Sequence, residues 1–266
     1  MKLGLVGCGK MGEAILGAAL KAGVAVPADI VVAEANPERA KQIAARYAVA
    51  AGADATLAAD GADLLIFAVR PQEFAAAAGQ LRGRLRANQT VVSIMAGVRI
   101  DAIARTLGHA AVVRVMPNAP AAIGAGMSVW LAVPDVSQQA RAQVASLLEA
   151  LGLQVQVDQE QYLDMATALS GSGPAFVYLL IEAFIDAGVH VGLHREVAET
   201  LALQTFIGAA KYAQVTGKHP AQLRNEVTSP AGTTAAGLLA LETAGVRGAI
   251  IDAVEAAYNR SRELGE

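Results

Sequence analysis

The first half of the chain alternates short apolar runs with longer amphipathic stretches. Residues 3–7 (Leu-Gly-Leu-Val-Gly) form an apolar run closed by glycine, with the length and flank of a buried strand. Gly12 to Ala22 follows with helical spacing. Ile30–Ala33 is a second strand, introduced by the turn residues Pro27-Ala28-Asp29. Asn36 and Pro37 then open a helix to about Tyr47, with Asn36 as its cap and Pro37 at its first position. Asp63–Val69, Thr90–Ile94, Ala111–Val115, Met127–Val133 and Gln154–Val157 read as further strands. Strands alternating with helices predict βαβ units and a parallel sheet covered on both faces.

Beyond Val157 the strand pattern stops. Ala175–Ala187, Arg195–Gln214, Thr234–Ala244 and Val246–Glu263 read as helices separated by glycine or proline breaks. The expectation is an α/β, Rossmann-like dinucleotide-binding domain over 1–157 and an all-helical domain over 158–266. No repeat or low-complexity linker separates them, so the halves are expected to join directly.

Composition narrows the partners. The 266 residues carry 21 Lys+Arg against 24 Asp+Glu, a net charge of −3. That balance, without a basic cluster, argues against nucleic acid. Mean hydropathy is +0.41 and 54% of residues are apolar, but 59 alanines account for much of that figure. The longest uncharged run, between Arg114 and Asp135, contains Pro117, Pro120, Pro134, Gly124 and Gly126, which break any membrane-spanning helix. The chain therefore reads as soluble and cytoplasmic, without a membrane partner. The single cysteine, Cys8, cannot form an internal disulfide, which fits a reducing compartment.

Candidate chemistry begins at Gly7-Cys8-Gly9-Lys10-Met11-Gly12, a G-x-G-x-x-G turn between a strand and a helix. Its glycines suit a tight turn, close approach of a pyrophosphate, and close helix–strand packing. Glu34 ends the second strand, where an acid accepts from a ribose 2′-OH and repels a 2′-phosphate. Asn36, with Arg39 nearby, offers the opposite choice, so both NADH and NADPH stay open. Ala68-Val69-Arg70-Pro71 and Met95-Ala96-Gly97 fall at the carboxyl edge of the sheet, where ligands bind in open α/β folds. Met116-Pro117-Asn118-Ala119-Pro120 makes a rigid loop suited to shaping a nicotinamide pocket.

In the second half, Ser170-Gly171-Ser172-Gly173-Pro174 precedes a helix, with Ser172 a candidate cap. Thr228-Ser229-Pro230-Ala231-Gly232-Thr233-Thr234 brings hydroxyls and amides to another helix start, a design suited to a small carboxylate. Asp164, Glu182 and Asp186 read as helix-surface charges. His190 and His194 lack the surroundings of a zinc site, so no metal is expected, and Cys8 has no neighbouring histidine to make it a nucleophile.

In combination, these stretches resemble the pyrroline-5-carboxylate reductase family. The resemblance rests on Gly7–Gly12, Ala68–Gln72, Met116–Asn118, Ser170–Pro174, Val227–Thr234 and Ala253–Ala257 with Arg260, Ser261 and Arg262. It implies NAD(P)H-dependent reduction of (S)-1-pyrroline-5-carboxylate to L-proline, the last step of proline biosynthesis. The helical half then forms an interlocked dimer, with dimers assembling into decamers, and the active site is completed across the dimer interface. The resemblance further implies that Ser229, Gly232 and Thr233 hold the substrate carboxylate, and that Thr234 contacts the ring nitrogen and assists protonation. Two positions depart from the family pattern: Arg70 replaces a usual lysine, and Ala231 a usual glycine. If position 231 needs positive φ, alanine is strained there by about 1 kcal/mol.

Two other readings compete. A β-hydroxyacid-type dehydrogenase shares the two-domain plan, but its lysine–asparagine pair has no counterpart, since Lys211 is followed four residues on by Val215. A non-catalytic NAD(P)-binding protein leaves the Thr228–Thr234 loop unexplained.

Overall fold

The structure is a computed structural model that describes residues 1–265. Its first unit comprises Met1–Ser172 together with the segment from Ala257 onward. In chain order it contains β1 (Leu3–Val6), α1 (Lys10–Lys21), β2 (Ile30–Ala33), α2 (Pro37–Tyr47), β3 (Ala50–Gly52), α3 (Ala55–Ala59) and β4 (Leu64–Phe67). There follow α4 (Phe74–Gly79), β5 (Thr90–Ser93), α5 (Ile100–Leu107), β6 (Val112–Pro117), β7 (Gly126–Ala132), α6 (Gln138–Glu149), β8 (Gly152–Gln156) and α7 (Gln161–Ala166).

The strands form one eight-stranded sheet in the order β3-β2-β1-β4-β5-β6-β7-β8. Strand residues alternate between two apolar layers. Leu3, Leu5, Ile30, Val32, Leu64 and Ile66 pack against Ile15 and Leu16 of α1 and Val144 and Leu147 of α6. Val6, Leu65, Phe67 and Val91 pack on the other face against Phe74, Ile103 and Leu107.

The expectation of a parallel sheet holds from β3 to β6 and fails beyond it. β7 runs antiparallel to β6, and β8 runs parallel to β7. The physical cause is the connector 118–125, which holds only the 3₁₀ turn Ala119–Ile123. A parallel return needs a crossover of about a dozen residues or more. β3 was also absent from the sequence reading; Ala50-Ala51-Gly52 has no β-branched residue to reveal it.

The second unit, Gly173–Ala256, holds α8 (Gly173–His190), α9 (Arg195–Thr216), α10 (Pro220–Glu226), α11 (Thr233–Thr243) and most of α12 (Val246–Gly265). α10 was not foreseen. Ser172 is not a helix cap, contrary to the sequence reading. The π-helical turn Thr167–Gly171 and Ser172 in αR geometry carry the chain without a break from α7 into α8. The resulting helix, Gln161–His190, is long and apolar enough by length and composition to cross a membrane, a stretch the sequence reading did not single out. α8 and α9 pack through Phe184 and Phe206, edge to face at 5.1 Å. Otherwise the unit has almost no interior: Ala198 and Ala202 are buried, while Tyr178, Leu179, Leu201, Ile207, Leu239 and Ile251 are exposed. Apolar surface on this scale marks a face that associates with a partner.

Candidate active site

β1 delivers Gly7 to the carboxyl edge of the sheet, where its N–H donates to the Ala33 carbonyl at 2.8 Å. Gly7 has φ +87°, and a Cβ there would lie 2.9 Å from backbone atoms of Ala68 and Val69. Only glycine therefore closes this turn. Gly9 precedes α1 as its N-cap and supplies no side-chain cap. A Cβ at Gly9 would meet no protein atom within 4 Å, so the protein's own packing does not require this glycine. The space it leaves is open to a ligand, and the first amides of α1, on Lys10, Met11 and Gly12, have no intrahelical acceptor. This cradle fits a dinucleotide pyrophosphate.

Glu34 arches over the same turn. Its Oε2 accepts from the Cys8 N–H at 2.9 Å and its Oε1 from the Asn36 N–H at 3.0 Å. Asn36 caps α2 as expected, its Oδ1 accepting from the Glu38 and Arg39 amides. Burial pushes the Cys8 thiol up to about 12, so it stays a neutral thiol and no nucleophile at neutral pH.

Behind the turn, Glu13 accepts from Arg39, from Arg46 at 2.8 Å and from Tyr47 at 3.0 Å. Burial raises the Glu13 carboxyl, but the Arg39 and Tyr47 hydrogen bonds and the charges of Arg39 and Arg46 together outweigh it and hold it below the usual range. A carboxylate lowered in the folded state stabilises the fold above its unfolded value and loses that contribution as pH falls through the lowered one. The Glu13→Gln variant is therefore expected to lose less stability than wild type as pH falls from ~5 to ~2. Urea unfolding at the two values checks this, and equal losses would refute it.

Further along the edge, Ala68 lies against Gly12, while Arg70 is exposed and pairs with Glu73 at 3.5 Å. Pro71 opens the 3₁₀ turn Pro71–Glu73 that leads into α4. Ala96 follows the buried Met95, and Gly97, at φ +75°, packs against the Leu264 carbonyl. Asn118 acts as a clamp: its Oδ1 accepts from the Met127 N–H at 2.8 Å, and its Nδ2 donates to the Ser170 carbonyl at 3.0 Å.

The sequence reading missed Arg114. This side chain, 1% exposed, donates to Glu160 at 2.9 Å and to Asp164 at 3.4 Å. Glu160 also accepts from the Ile100 N–H, and Asp164 from Ser261 at 3.2 Å. Asp164 is thus a structural partner of a buried cation rather than a surface charge. A charged residue inside an otherwise apolar strand, Val112-Val-Arg114-Val, was the available signal.

In the helical unit, Ser229-Pro230-Ala231-Gly232 forms a turn closed by the Gly232 N–H donating to the Ser229 carbonyl at 3.1 Å. Gly232 is the N-cap of α11 and offers no side chain, which leaves the amides of Thr233, Thr234 and Ala235 open. A Cβ at Gly232 would lie 2.4 Å from Ser229 Oγ. The Thr228 hydroxyl donates to the Arg224 carbonyl at 2.6 Å, whereas those of Ser229, Thr233 and Thr234 have no hydrogen-bond partner among the described residues. Amides and free hydroxyls together form a set of donors for a carboxylate.

Ala231 has φ +56°, the geometry that the family's glycine tolerates and alanine resists. Ala231→Gly relieves about 1–2 kcal/mol of left-handed strain and loses about 0.5–1 kcal/mol through the freer unfolded chain. The expected result is a small net gain in the urea midpoint, and a lower midpoint would contradict it.

Comparison with known proteins follows the same division. A family model described as pyrroline-5-carboxylate reductase dimerisation matches residues 160–264, and one described as NADP oxidoreductase coenzyme F420-dependent matches residues 2–97. The pyrroline-5-carboxylate reductase of Synechocystis sp. is 42% identical over 266 residues, covering 100% of this chain and 99% of its own. That of Arabidopsis thaliana is 38% identical, covering 100% and 96%. The crystal structure of Plasmodium falciparum pyrroline carboxylate reductase, solved with NADP bound, superposes with a TM-score of 0.90 at 29% identity, covering 100% of this chain and 98% of that one.

Proposed function

The chain belongs to the pyrroline-5-carboxylate reductase family, and from that premise we infer how its residues divide the work. The reaction is reduction of the C=N bond of (S)-1-pyrroline-5-carboxylate to give L-proline, with NADH or NADPH as reductant. One observation carries the assignment of sites. Two helices, α1 and α11, each begin at a glycine that provides no side-chain cap, so each presents unpaired amides to an anion.

The bound dinucleotide supplies the hydride. Gly7, Gly9, Lys10, Met11 and Gly12 hold its pyrophosphate through the backbone, with Glu34 and Asn36 on the adenine-ribose side. Ala68, Val69, Arg70, Pro71, Ala96, Gly97 and Asn118 shape the nicotinamide side of the sheet edge. Ser229, Gly232 and Thr233 hold the substrate carboxylate, and the free hydroxyl of Thr234 orients the ring nitrogen and assists its protonation. A protonated imine already accepts hydride readily, so positioning supplies most of the catalysis and no strong side-chain acid is compulsory.

Residues 1–157 serve as the dinucleotide-binding domain and 158–266 as the dimerisation and substrate domain. The exposed apolar helices support self-association, with a partner subunit completing the active site and dimers building a decamer. We place the enzyme in the cytoplasm. The test follows loss of the reduced nicotinamide's absorbance with pyrroline-5-carboxylate and each cofactor. Proline formation is the expected result. Cofactor binding without turnover would overturn the reading.

A further inference from the structure

We propose that the ribose pocket of this chain selects NADH over NADPH and that Glu34 is the discriminating residue. The proposal rests on the reductase reading only for seating the nucleotide on the Gly7–Gly12 turn.

Glu34 is held at both ends of its carboxylate, by the Cys8 N–H at 2.9 Å and the Asn36 N–H at 3.0 Å. Each oxygen retains a second lone pair. A ribose 2′-OH can donate to one of them. A 2′-phosphate has no such proton to offer at neutral pH and brings like charge to a carboxylate that is anchored in place.

The neighbouring groups that could compensate are already engaged. A phosphate at this end of the sheet would look for the start of α2. Pro37 has no N–H, and the amides of Glu38 and Arg39 donate to Asn36 Oδ1. The Ala40 amide donates to the Asn36 carbonyl at 2.9 Å. The Asn36 cap that the sequence left as a phosphate ligand therefore closes the helix start instead, and only its Nδ2 remains as one neutral donor.

The nearby cations are also paired. Arg39 binds Glu13 and donates through Nε to the Cys8 carbonyl at 3.3 Å, and Arg46 binds Glu13 at 2.8 Å. Lys41 binds Glu38 at 2.9 Å. Recruiting Arg39 to a phosphate would leave Glu13, whose carboxyl is held low, with Arg46 as its one cation. Glu13, Glu34 and Glu38 thus face Arg39, Arg46 and Lys41, while Lys10 stands at the first position of α1 on the pyrophosphate turn.

Calorimetric titration with ADP-ribose and 2′-phospho-ADP-ribose tests this without turnover, followed by kcat/KM for NADH and NADPH. Wild type is expected to bind ADP-ribose tighter by about tenfold or more and to favour NADH similarly. Glu34→Gln, which keeps one acceptor but removes the charge, should narrow that ratio. Glu34→Ser should narrow or reverse it. Equal or tighter binding of 2′-phospho-ADP-ribose by wild type overturns the proposal whether or not a variant folds, and an unchanged ratio in folded variants overturns Glu34 as its cause. Tighter ADP-ribose binding without imine reduction by either cofactor would sink the reductase reading and leave the ribose assignment standing.

Discussion

Replacing Arg114 with methionine is expected to destabilise the protein by about 3 kcal/mol, toward the low end for breaking a buried ion pair from one side. The arginine is 1% exposed and lies between Glu160 and Asp164. Methionine fills most of its volume but leaves two carboxylates in a poorly hydrated site. Three features moderate the loss. Glu160 keeps the Ile100 amide and Asp164 keeps the Ser261 hydroxyl. Both acids retain some contact with water, their side chains being 19% exposed. Arg114 Nε has no partner even in the native fold, and removing it recovers part of that burial cost. The triple variant R114M/E160Q/D164N should regain most of the stability, because charge and partner leave together. Urea unfolding of both variants decides: a loss below about 1 kcal/mol in the single variant, or no recovery in the triple, would show that the cluster does not bind the first helical turn to β6.

Alanine at Gly7 and at Gly9 should both weaken cofactor binding, for different reasons. Gly7→Ala places a Cβ 2.9 Å from backbone atoms at φ +87°, which adds left-handed strain of about 1–2 kcal/mol to a collision that only the loop can relieve. Stability and NAD(P)H affinity should fall together. Gly9→Ala meets no protein atom within 4 Å and keeps a backbone at φ −70° and ψ −164°. The fold should be indifferent to it. The methyl instead occupies the space beside the open amides of α1, and affinity should drop by about tenfold, equivalent to 1.4 kcal/mol. Thermal unfolding and fluorescence titration of the two variants separate the cases. A Gly9→Ala protein that binds the dinucleotide normally would remove the phosphate from this turn.

Much of this was legible in the chain because it is local. A four-residue apolar run followed by Gly7-x-Gly9-x-x-Gly12 specifies a strand, a tight turn and a helix start within ten residues, and the structure has all three. Asn36 and Pro37 specify the entry to α2 by the same means, since a cap bonds amides only two and three residues away. The suspicion of strain at Ala231 came from the resemblance, in which glycine is usual at that position, and φ +56° bears it out. Where a local rule failed, a stronger neighbour prevailed. Ser172 has the residue type of a cap, but the helix before it does not end, because a π-helical turn passes the chain through the glycines.

The sequence by itself determined the strand–turn–helix units, the motifs that carry the family resemblance and the glycines that open α1 and α11, because each depends on spacing within a few residues. Tertiary structure alone decided the reversal of β7 and β8, the pairing of Arg114 with acids 46 and 50 residues away, and the engagement of Glu34 with Cys8 across 26 residues. Those outcomes depend on which groups meet when distant segments pack. A polar side chain's role is fixed only once the fold has determined which of its hydrogen-bonding positions are filled and which remain for a ligand.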